Sequence, residues 1–198
     1  MDKQTYLPDI EGYLSVLQKQ LRALDREQLA NFLDVLARAR DQGHRIFVMG
    51  NGGSAATASH FVCDFNKGLS YQRGKKFQFI CLNDNIPTVM AYANDVGFED
   101  IFVEQLKNFF SPGDLVIGIS GSGNSRNVLK ALEYARANGG VTLALVGYDG
   151  GALKKIAEHC VHVQINDMQI VEDIHMMLDH MAMRVLGYAD QRTGERKA

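Results

Sequence analysis

The sequence predicts an α/β fold, a single doubly wound, five-stranded parallel sheet flanked by helices. Five short apolar runs rich in β-branched residues are each followed by a helix-like stretch, and this repeated strand–helix order is typical of a parallel sheet. Two of the runs end in glycine- and hydroxyl-rich turns, where a buried strand would pass into a helix. With 198 residues and 46% hydrophobic content, the chain can bury the core of one such domain.

The elements follow in a regular order. Two helices come first, at 9–24 and 26–42, and Asp25 is the expected N-cap of the second, with Gln28 three residues later. The predicted strands are 45–49, 77–82, 114–119, 141–146 and 161–165. The predicted helices between and after them are 54–66, 87–94, 99–110, 125–138, 151–159 and 168–186.

The helices at the two ends of the chain carry more apolar surface than one small sheet needs. We therefore expect the N-terminal helices to pack in a helical bundle of a homo-oligomer. The whole chain, 1–198, is predicted to be one domain with an N-terminal helical oligomerisation segment at 1–43, an α/β core at 44–188 and a polar tail at 189–198.

Composition sets limits on location and partners. No apolar run approaches the roughly eighteen residues of a membrane span, and the N-terminus lacks a basic-then-apolar signal pattern, so a cytoplasmic protein without a membrane partner is expected. The net charge of −2 gives no general field for nucleic acid. A small basic group at Arg73, Lys75 and Lys76 is interpreted as a solvated loop. The three cysteines are widely spaced and are interpreted as buried reduced thiols: Cys63, Cys81 and Cys160.

Two turns predict an anion site. Gly50-Asn51-Gly52-Gly53-Ser54 and Ser120-Gly121-Ser122-Gly123-Asn124-Ser125 each end a strand and open a helix, so unpaired backbone N–H groups and the helix dipole would face one phosphate from two sides. The hydroxyls of Ser54, Ser120, Ser122 and Ser125 add four hydrogen-bond donors. The second loop has no lysine of the P-loop type, which favours a sugar phosphate over a nucleoside triphosphate. Either loop alone is equally consistent with a tight structural turn.

The first turn also fits a dinucleotide-binding pattern. Gly50, Gly52 and Ala55 match G-x-G-x-x-A. The acidic residue expected about twenty positions later is missing, so nicotinamide binding is disfavoured.

Ionisable residues on two helices are candidates for chemistry. His60 and Asp64 are four residues apart and share a helix face, where they could share a metal or a proton. The last helix carries Glu172, His175, Asp179 and His180. Taken singly, each is better explained by packing, capping or a surface pair. What favours function is the position of His60 and Asp64 just behind an anion loop. Glu172 and His180 lie about 12 Å apart along the helix axis, so joint binding of one ion needs both side chains to lean inward or a neighbouring subunit to contribute.

Three segments carry a resemblance to a known family. The two glycine-rich turns and Glu172-Asp173-Ile174-His175 with His180 resemble the sugar isomerase (SIS) domain family, and within it the phosphoheptose isomerases. The resemblance implies a SIS fold, which is flavodoxin-like, and a homotetramer. It also implies an aldose–ketose isomerase that converts sedoheptulose 7-phosphate to D-glycero-D-manno-heptose 7-phosphate through an enediol.

The resemblance also implies roles for individual residues. Asp64 would be the general base and His180 the second acid/base. Zn²⁺ would be bound by His60, Asp64, Glu172 and His180, although the same donors accept Mn²⁺, Ni²⁺ or Fe²⁺. The substrate-binding residues would be Asn51, Gly52, Gly53, Ser54, Asp84, Asn94, Ser120, Gly121, Ser122, Ser125, Gln169 and Glu172.

The chain departs from the family pattern at two positions. The family usually has Glu where this chain has Asp64, and often has Gln where it has Glu172. Two other functions stay open: the same reaction on another ketose phosphate, and a sugar-phosphate-binding protein without catalysis, either a regulator or a tetrameric scaffold for a replication initiator. The histidines and carboxylates favour an enzyme.

Overall fold

The computed structural model describes residues 3–193 and contains a five-stranded parallel sheet with helices on both faces. The strands are β1 Arg45–Gly50, β2 Gln78–Cys81, β3 Leu115–Ser120, β4 Val141–Val146 and β5 His159–His162. The helices are α1 Leu7–Ala23, α2 Arg26–Asp41, α3 Gly53–Cys63, α4 Ile86–Asp95, α5 Val103–Phe109, α6 Arg126–Ala137, α7 Gly151–Ile156 and α8 Met168–Thr193. The predicted fold class is confirmed.

The strand order is β2-β1-β3-β4-β5, and every neighbouring pair is parallel. Val48 of β1 lies between Cys81 of β2 and Ile117 of β3. From the β1–β3 pair, the sheet is extended in opposite directions, by β2 beside β1 and by β4 beside β3. The carboxyl ends of β1 and β3 are therefore the switch point where ligands bind in open α/β sheets. Both glycine-rich loops leave the sheet at this point.

The alternation of side chains along the strands builds two hydrophobic layers. Ile46 and Val48 of β1 belong to the layer under α2, α3 and α8, which also contains Phe61 and Leu178. Phe47 of β1 belongs to the layer on the opposite face, under α5 and α6. Helices therefore cover both faces of the sheet, as the doubly wound fold requires.

Several element boundaries differ from the prediction. β5 is His159–His162, not 161–165, because α7 already ends at Ile156 and the Glu158 N–H donates to the Thr142 hydroxyl as the chain enters the sheet. The predicted helix at 99–110 is a 3₁₀ turn, Phe98–Asp100, followed by α5. The helix predicted at 54–66 becomes a π-helical turn at Asp64.

The last helix continues to Thr193, past residue 188, where the tail was predicted to begin. Asp190 explains this extension, because its buried carboxylate contacts the guanidinium groups of Arg40 and Arg73. Arg73 is therefore buried, and its interpretation as part of a solvated loop was wrong. The rest of the predicted tail, 194–198, lies outside the described residues, and the division into segments stays a prediction.

The N-terminal helix leaves apolar side chains exposed. No residue of α1 is buried, and Leu7, Ile10 and Leu14 are each about half exposed. Its packing in an oligomer stays a prediction. No helix within residues 3–193 is long and apolar enough to cross a membrane. Cys63 is exposed, so its expected burial was wrong, whereas Cys81 is buried.

Candidate active site

The two glycine-rich loops line one open cleft at the switch point. It measures about 390 Å³ and lies where β1 passes into α3 and β3 passes into α6. Gly52 has a positive φ of 54° and directs the chain into α3, whose first residue is Gly53. The residues that line the cleft are Asn51, Ser54, Ile119, Ser120, Gly121, Ser122, Ser125, Met168 and Glu172. The structure thus brings together most of the predicted phosphate-binding residues.

A pair of amides joins the two loops. The Asn51 Nδ2 donates to Asn127 Oδ1, and the Asn127 Nδ2 donates to Asn51 Oδ1, both at 2.9 Å. The Ser120 and Ser125 hydroxyls are hydrogen-bonded to each other at 2.9 Å. Asn127 was not a predicted site residue. The sequence signal that could have identified it is its position, because Asn127 is an amide among the buried apolar residues in the first turn of α6.

The second loop is also fixed to the start of α7. The Ala152 N–H donates to Asn124 Oδ1 at 3.0 Å, and the Leu153 N–H donates to the Gly123 carbonyl at 2.9 Å. Gly123 has a φ of +66°, and a Cβ there would overlap the Gly150 carbonyl. Only glycine allows this approach without a shift of one loop.

A second group of functional side chains lies where α3 and α8 pack together. His60, Asp64, Asp179 and His180 place one nitrogen or oxygen each within 4.8 Å of all the others. The His60 and His180 Nε2 atoms are 3.0 Å apart. The His60 Nε2 is 3.7 Å from Asp64 Oδ2 and 3.8 Å from Asp179 Oδ2. Two imidazoles and two carboxylates in this space are a suitable donor set for a divalent metal.

Asp179 is the buried member of this group. Its side chain is fully buried, and neither carboxylate oxygen has a hydrogen-bond partner. Burial, and to a lesser degree the charge of Asp64, raises the pKa of Asp179 to about 8. His60 and His180 have side chains that are 41% and 56% exposed, so the group opens to solvent on their side.

Glu172 lies apart from the histidines. Its carboxylate packs on Gly53, where a Cβ would overlap it, and it lines the cleft beside the serines. The structure therefore brings together three of the four residues that the resemblance gives to zinc, and places Asp179 beside them where Glu172 was expected. The physical reason is the helix rise, which separates Glu172 from His180 by about 12 Å along α8.

Other predicted residues lie at or beyond the margin. The Ser59 hydroxyl donates to Asp84, which holds that carboxylate against α3. Asn94 is exposed and donates to Asp95 at 2.7 Å, and Gln169 is exposed at the start of α8. Neither of these two lines the cleft between the glycine-rich loops. Their contribution to substrate binding stays a prediction.

His175 belongs to neither group. It is fully buried, and neither ring nitrogen has a hydrogen-bond partner of good geometry. Burial lowers the pKa of His175 to about 4, and the nearby Val146 backbone offsets only part of that effect. His175 is therefore a neutral core residue at neutral pH.

Comparisons with known proteins agree with this geometry. The SIS domain family matches residues 11–147. A probable phosphoheptose isomerase from Thermoplasma volcanium is 34% identical over 180 residues, which cover 91% of each chain. The phosphoheptose isomerase of Geobacter sulfurreducens is 36% identical over 178 residues, or 88% of this chain and 94% of that one.

A solved structure shows the same fold. The phosphoheptose isomerase from Francisella tularensis superposes with a TM-score of 0.86 at 23% identity, over 95% of this chain and all of that one. The sequence relatives show the family, and this likeness shows that the sheet order and helix placement are shared. The chain belongs to the SIS domain family and, within it, to the phosphoheptose isomerases.

Proposed function

We propose that this protein is an aldose–ketose isomerase that converts sedoheptulose 7-phosphate to D-glycero-D-manno-heptose 7-phosphate. One observation carries the proposal. Helix α3 places Ser54 of its first turn in the serine-lined cleft and carries His60 six residues later, about 9 Å further along the axis. A sugar phosphate held by its phosphate in the cleft can therefore extend its carbonyl end toward the His60–Asp64 group.

The cleft supplies the phosphate site. Ser54, Ser120, Ser122 and Ser125 contribute hydroxyls, and the backbone at the start of α3 contributes N–H groups and the positive end of a helix dipole. Among residues 3–193, no lysine or arginine lines the cleft, so these residues would bind the phosphate through neutral donors. Glu172 faces the same space and can accept hydrogen bonds from sugar hydroxyls.

Two side chains supply the proton transfers. Asp64 takes a proton from C1 of the ketose while His180 gives a proton to the C2 oxygen, which produces an enediol. Return of a proton to C2 and loss of the proton from the C1 oxygen then give the aldose. His180 Nε2 lies 4.0 Å from Asp64 Oδ2, so both groups can reach the two adjacent carbons of one substrate.

We propose Zn²⁺ as the cofactor. The chemistry of the donors fits it, because imidazole and carboxylate oxygen are its usual nitrogen and oxygen ligands, and the unpartnered Asp179 carboxylate lies in the group. His60, Asp64 and His180 would bind the metal together with a further carboxylate. Bound zinc polarises substrate oxygens as a Lewis acid.

We also propose a homotetramer located in the cytoplasm. The exposed apolar residues of α1, including Leu7, Ile10 and Leu14, support burial of this helix against other copies of the chain. An exposed apolar stripe of this kind is costly in water unless another surface covers it.

Turnover of sedoheptulose 7-phosphate in deuterated solvent tests the proposal. We expect product together with exchange of the C1 proton, and loss of both in Asp64→Asn and His180→Ala with unchanged oligomeric state and phosphosugar binding. Asp34→Asn is the matched control, since Asp34 forms an exposed pair with Arg38 on α2. Binding without product or exchange would contradict the isomerase and favour a sugar-phosphate sensor.

A further inference from the structure

An amide pair behind the serine-lined cleft links the first glycine-rich loop to the start of α6. Asn51 lines the cleft, whereas Asn127, in the first turn of α6, is only 2% exposed. Their side chains exchange two hydrogen bonds of 2.9 Å, and each amide donates once and accepts once. Asn127 is therefore shielded from a ligand in the cleft, and its effect on binding must pass through Asn51.

The backbone of α6 fixes the orientation of this pair. The Val128 N–H donates to Asn127 Oδ1 at 3.0 Å, and a backbone N–H can face only an acceptor. The oxygen end of the Asn127 amide is thereby set, and its NH₂ group must face Asn51 Oδ1. The orientation of the Asn51 amide follows in turn, because its own NH₂ group must face Asn127 Oδ1.

Asn51 keeps one donor and one acceptor for a ligand. A primary amide has two N–H donors and two acceptor lone pairs, and the pair with Asn127 uses one of each. The cleft that Asn51 lines is also lined by Ser125, the N-cap of α6, two residues before Asn127. The second N–H of Asn51 is thus held near a helix N-terminus, where a phosphate is favoured.

A third asparagine holds the backbone of the first loop independently of α6. The Asn83 Nδ2 donates to the Gly50 carbonyl at 2.8 Å, and the Gly50 N–H donates to Asn83 Oδ1 at 3.2 Å. The main chain just before Asn51 is therefore fixed from the end of β2. Loss of the Asn127 amide would release the Asn51 side chain and leave this backbone anchor in place.

We propose that Asn127 is a positioning residue for the phosphate group, which holds the Asn51 amide so that the second N–H of Asn51 donates to a phosphate oxygen. This role rests on the proposed function, which puts a phosphosugar in the cleft. A donor that is oriented in advance costs less to order on binding than a freely rotating side chain. Among side chains of this length, only asparagine supplies both the donor and the acceptor that Asn51 requires.

A double-mutant cycle on the purified full-length protein tests this role. Asn127→Leu keeps the shape of the side chain and removes both hydrogen bonds, Asn51→Ala removes the proposed contact, and a double variant combines the two. Calorimetry measures the affinity of each protein for sedoheptulose 7-phosphate and for inorganic phosphate. We expect each single variant to bind both ligands about tenfold more weakly, as for loss of one hydrogen bond to a charged group. The double variant should bind no more weakly than Asn51→Ala.

Asn138→Leu is the matched control. Asn138 lies at the C-terminal end of the same helix and donates to the Tyr134 carbonyl at 2.8 Å, so this variant should bind both ligands as the wild type does. Asn127→Ala is carried through the same cycle, so that the result does not depend on how the core accommodates leucine. Circular dichroism and urea unfolding check that each variant is folded.

A purely structural role of Asn127 predicts a different result. Asn127→Leu would then weaken binding by the same factor in the Asn51→Ala background as in the wild type, and such additivity would overturn the inference. Wild-type affinity in folded Asn127→Leu and Asn127→Ala would also overturn it.

The two ligands separate this inference from the proposed function. If the wild type binds inorganic phosphate but not sedoheptulose 7-phosphate, the proposed substrate is rejected, and the cycle measured with phosphate decides the role of Asn127. The expected coupling without turnover would leave that role in place and reject only the reaction. A wild type that binds neither ligand would overturn both.

Discussion

His175 should make the stability of this protein fall in mild acid. Burial lowers the pKa of its imidazole from the usual 6.5 to about 4 in the folded protein. In the unfolded chain the same imidazole is in water and titrates near its usual value. Between pH 6.5 and 4 the unfolded state therefore binds a proton that the folded state does not, and unfolding becomes more favourable as the pH falls.

The size of the effect follows from the difference between the two pKa values. That difference is 6.5 − 4 = 2.5, and at about 1.4 kcal/mol per unit the full loss is about 3 kcal/mol once the pH is well below 4. At pH 5 the same relation gives a loss of about 2 kcal/mol. From about pH 7.5 upward the histidine is almost entirely neutral in both states and contributes almost no slope.

Urea unfolding of the wild type and of His175→Leu measures this contribution. Leucine keeps the site apolar and removes the titration, so any constant packing change cancels when each protein is compared with itself at two pH values. We expect the wild type to lose about 2 kcal/mol more free energy of unfolding than the variant between pH 7.5 and 5. The protein concentration is held constant and a chelator is present throughout.

The interval from pH 7.5 to 8.5 is the internal control. Across it, the free energy of unfolding should change by the same amount in the wild type and in His175→Leu. Equal losses for wild type and variant between pH 7.5 and 5 would refute the reasoning. Such a result would mean that the His175 imidazole accepts a proton in the folded core as readily as in water. A hydrogen-bond partner or a water contact would then be needed at a side chain that the structure shows as fully buried.

Two further predictions concern the second loop and the buried ion pairs. Gly123→Ala should weaken binding of sedoheptulose 7-phosphate at least tenfold in calorimetry, because the left-handed backbone and the nearby Gly150 carbonyl leave no room for a Cβ. The control is Gly74→Ala, where a Cβ meets nothing within 4 Å, and this variant should bind as the wild type does. Equal affinities of the two variants would contradict this account of the loop. Asp190→Asn should lower the free energy of unfolding by about 3–5 kcal/mol, because it removes the negative charge that the buried guanidiniums of Arg40 and Arg73 both contact. A change below about 1 kcal/mol in denaturant titration would indicate that Asp190 does not hold the end of α8.

The sequence predicts the features of this fold that depend on local pattern. Apolar strand runs alternating with amphipathic helices identify a parallel sheet, and the turns at 50–54 and 120–125 predict an anion site because two loops of one kind each follow a strand and open a helix. Each of these signals is local, because it can be identified within a single strand–turn–helix stretch of the chain. The structure confirms the parallel sheet and places both turns at one cleft beside the neighbouring strands β1 and β3; the binding of an anion there stays a prediction.

What the sequence does not predict depends on contacts between distant elements. Asp179 as a neighbour of His60 requires the packing of α8 on α3, across more than a hundred residues. The Asn51–Asn127 amide pair and the Arg73–Asp190 contact are of the same kind. Each partner alone is an ordinary polar residue, and only the tertiary placement gives it a role. Charge counting along the chain therefore missed the burial of Arg73.

Helix α3 connects the two halves of the site and thereby limits the choice of substrate. Its first turn contributes Ser54 to the cleft and a later turn contributes His60 to the ionisable group, so the distance from phosphate to reacting carbons is set by a rigid element and not by a loop. Because proton transfer is sensitive to misplacement of about 1 Å, a ketose phosphate with fewer carbons would leave its C1 short of Asp64 when its phosphate is bound. The fixed spacing therefore favours long-chain ketose phosphates over pentulose phosphates, in agreement with a seven-carbon substrate.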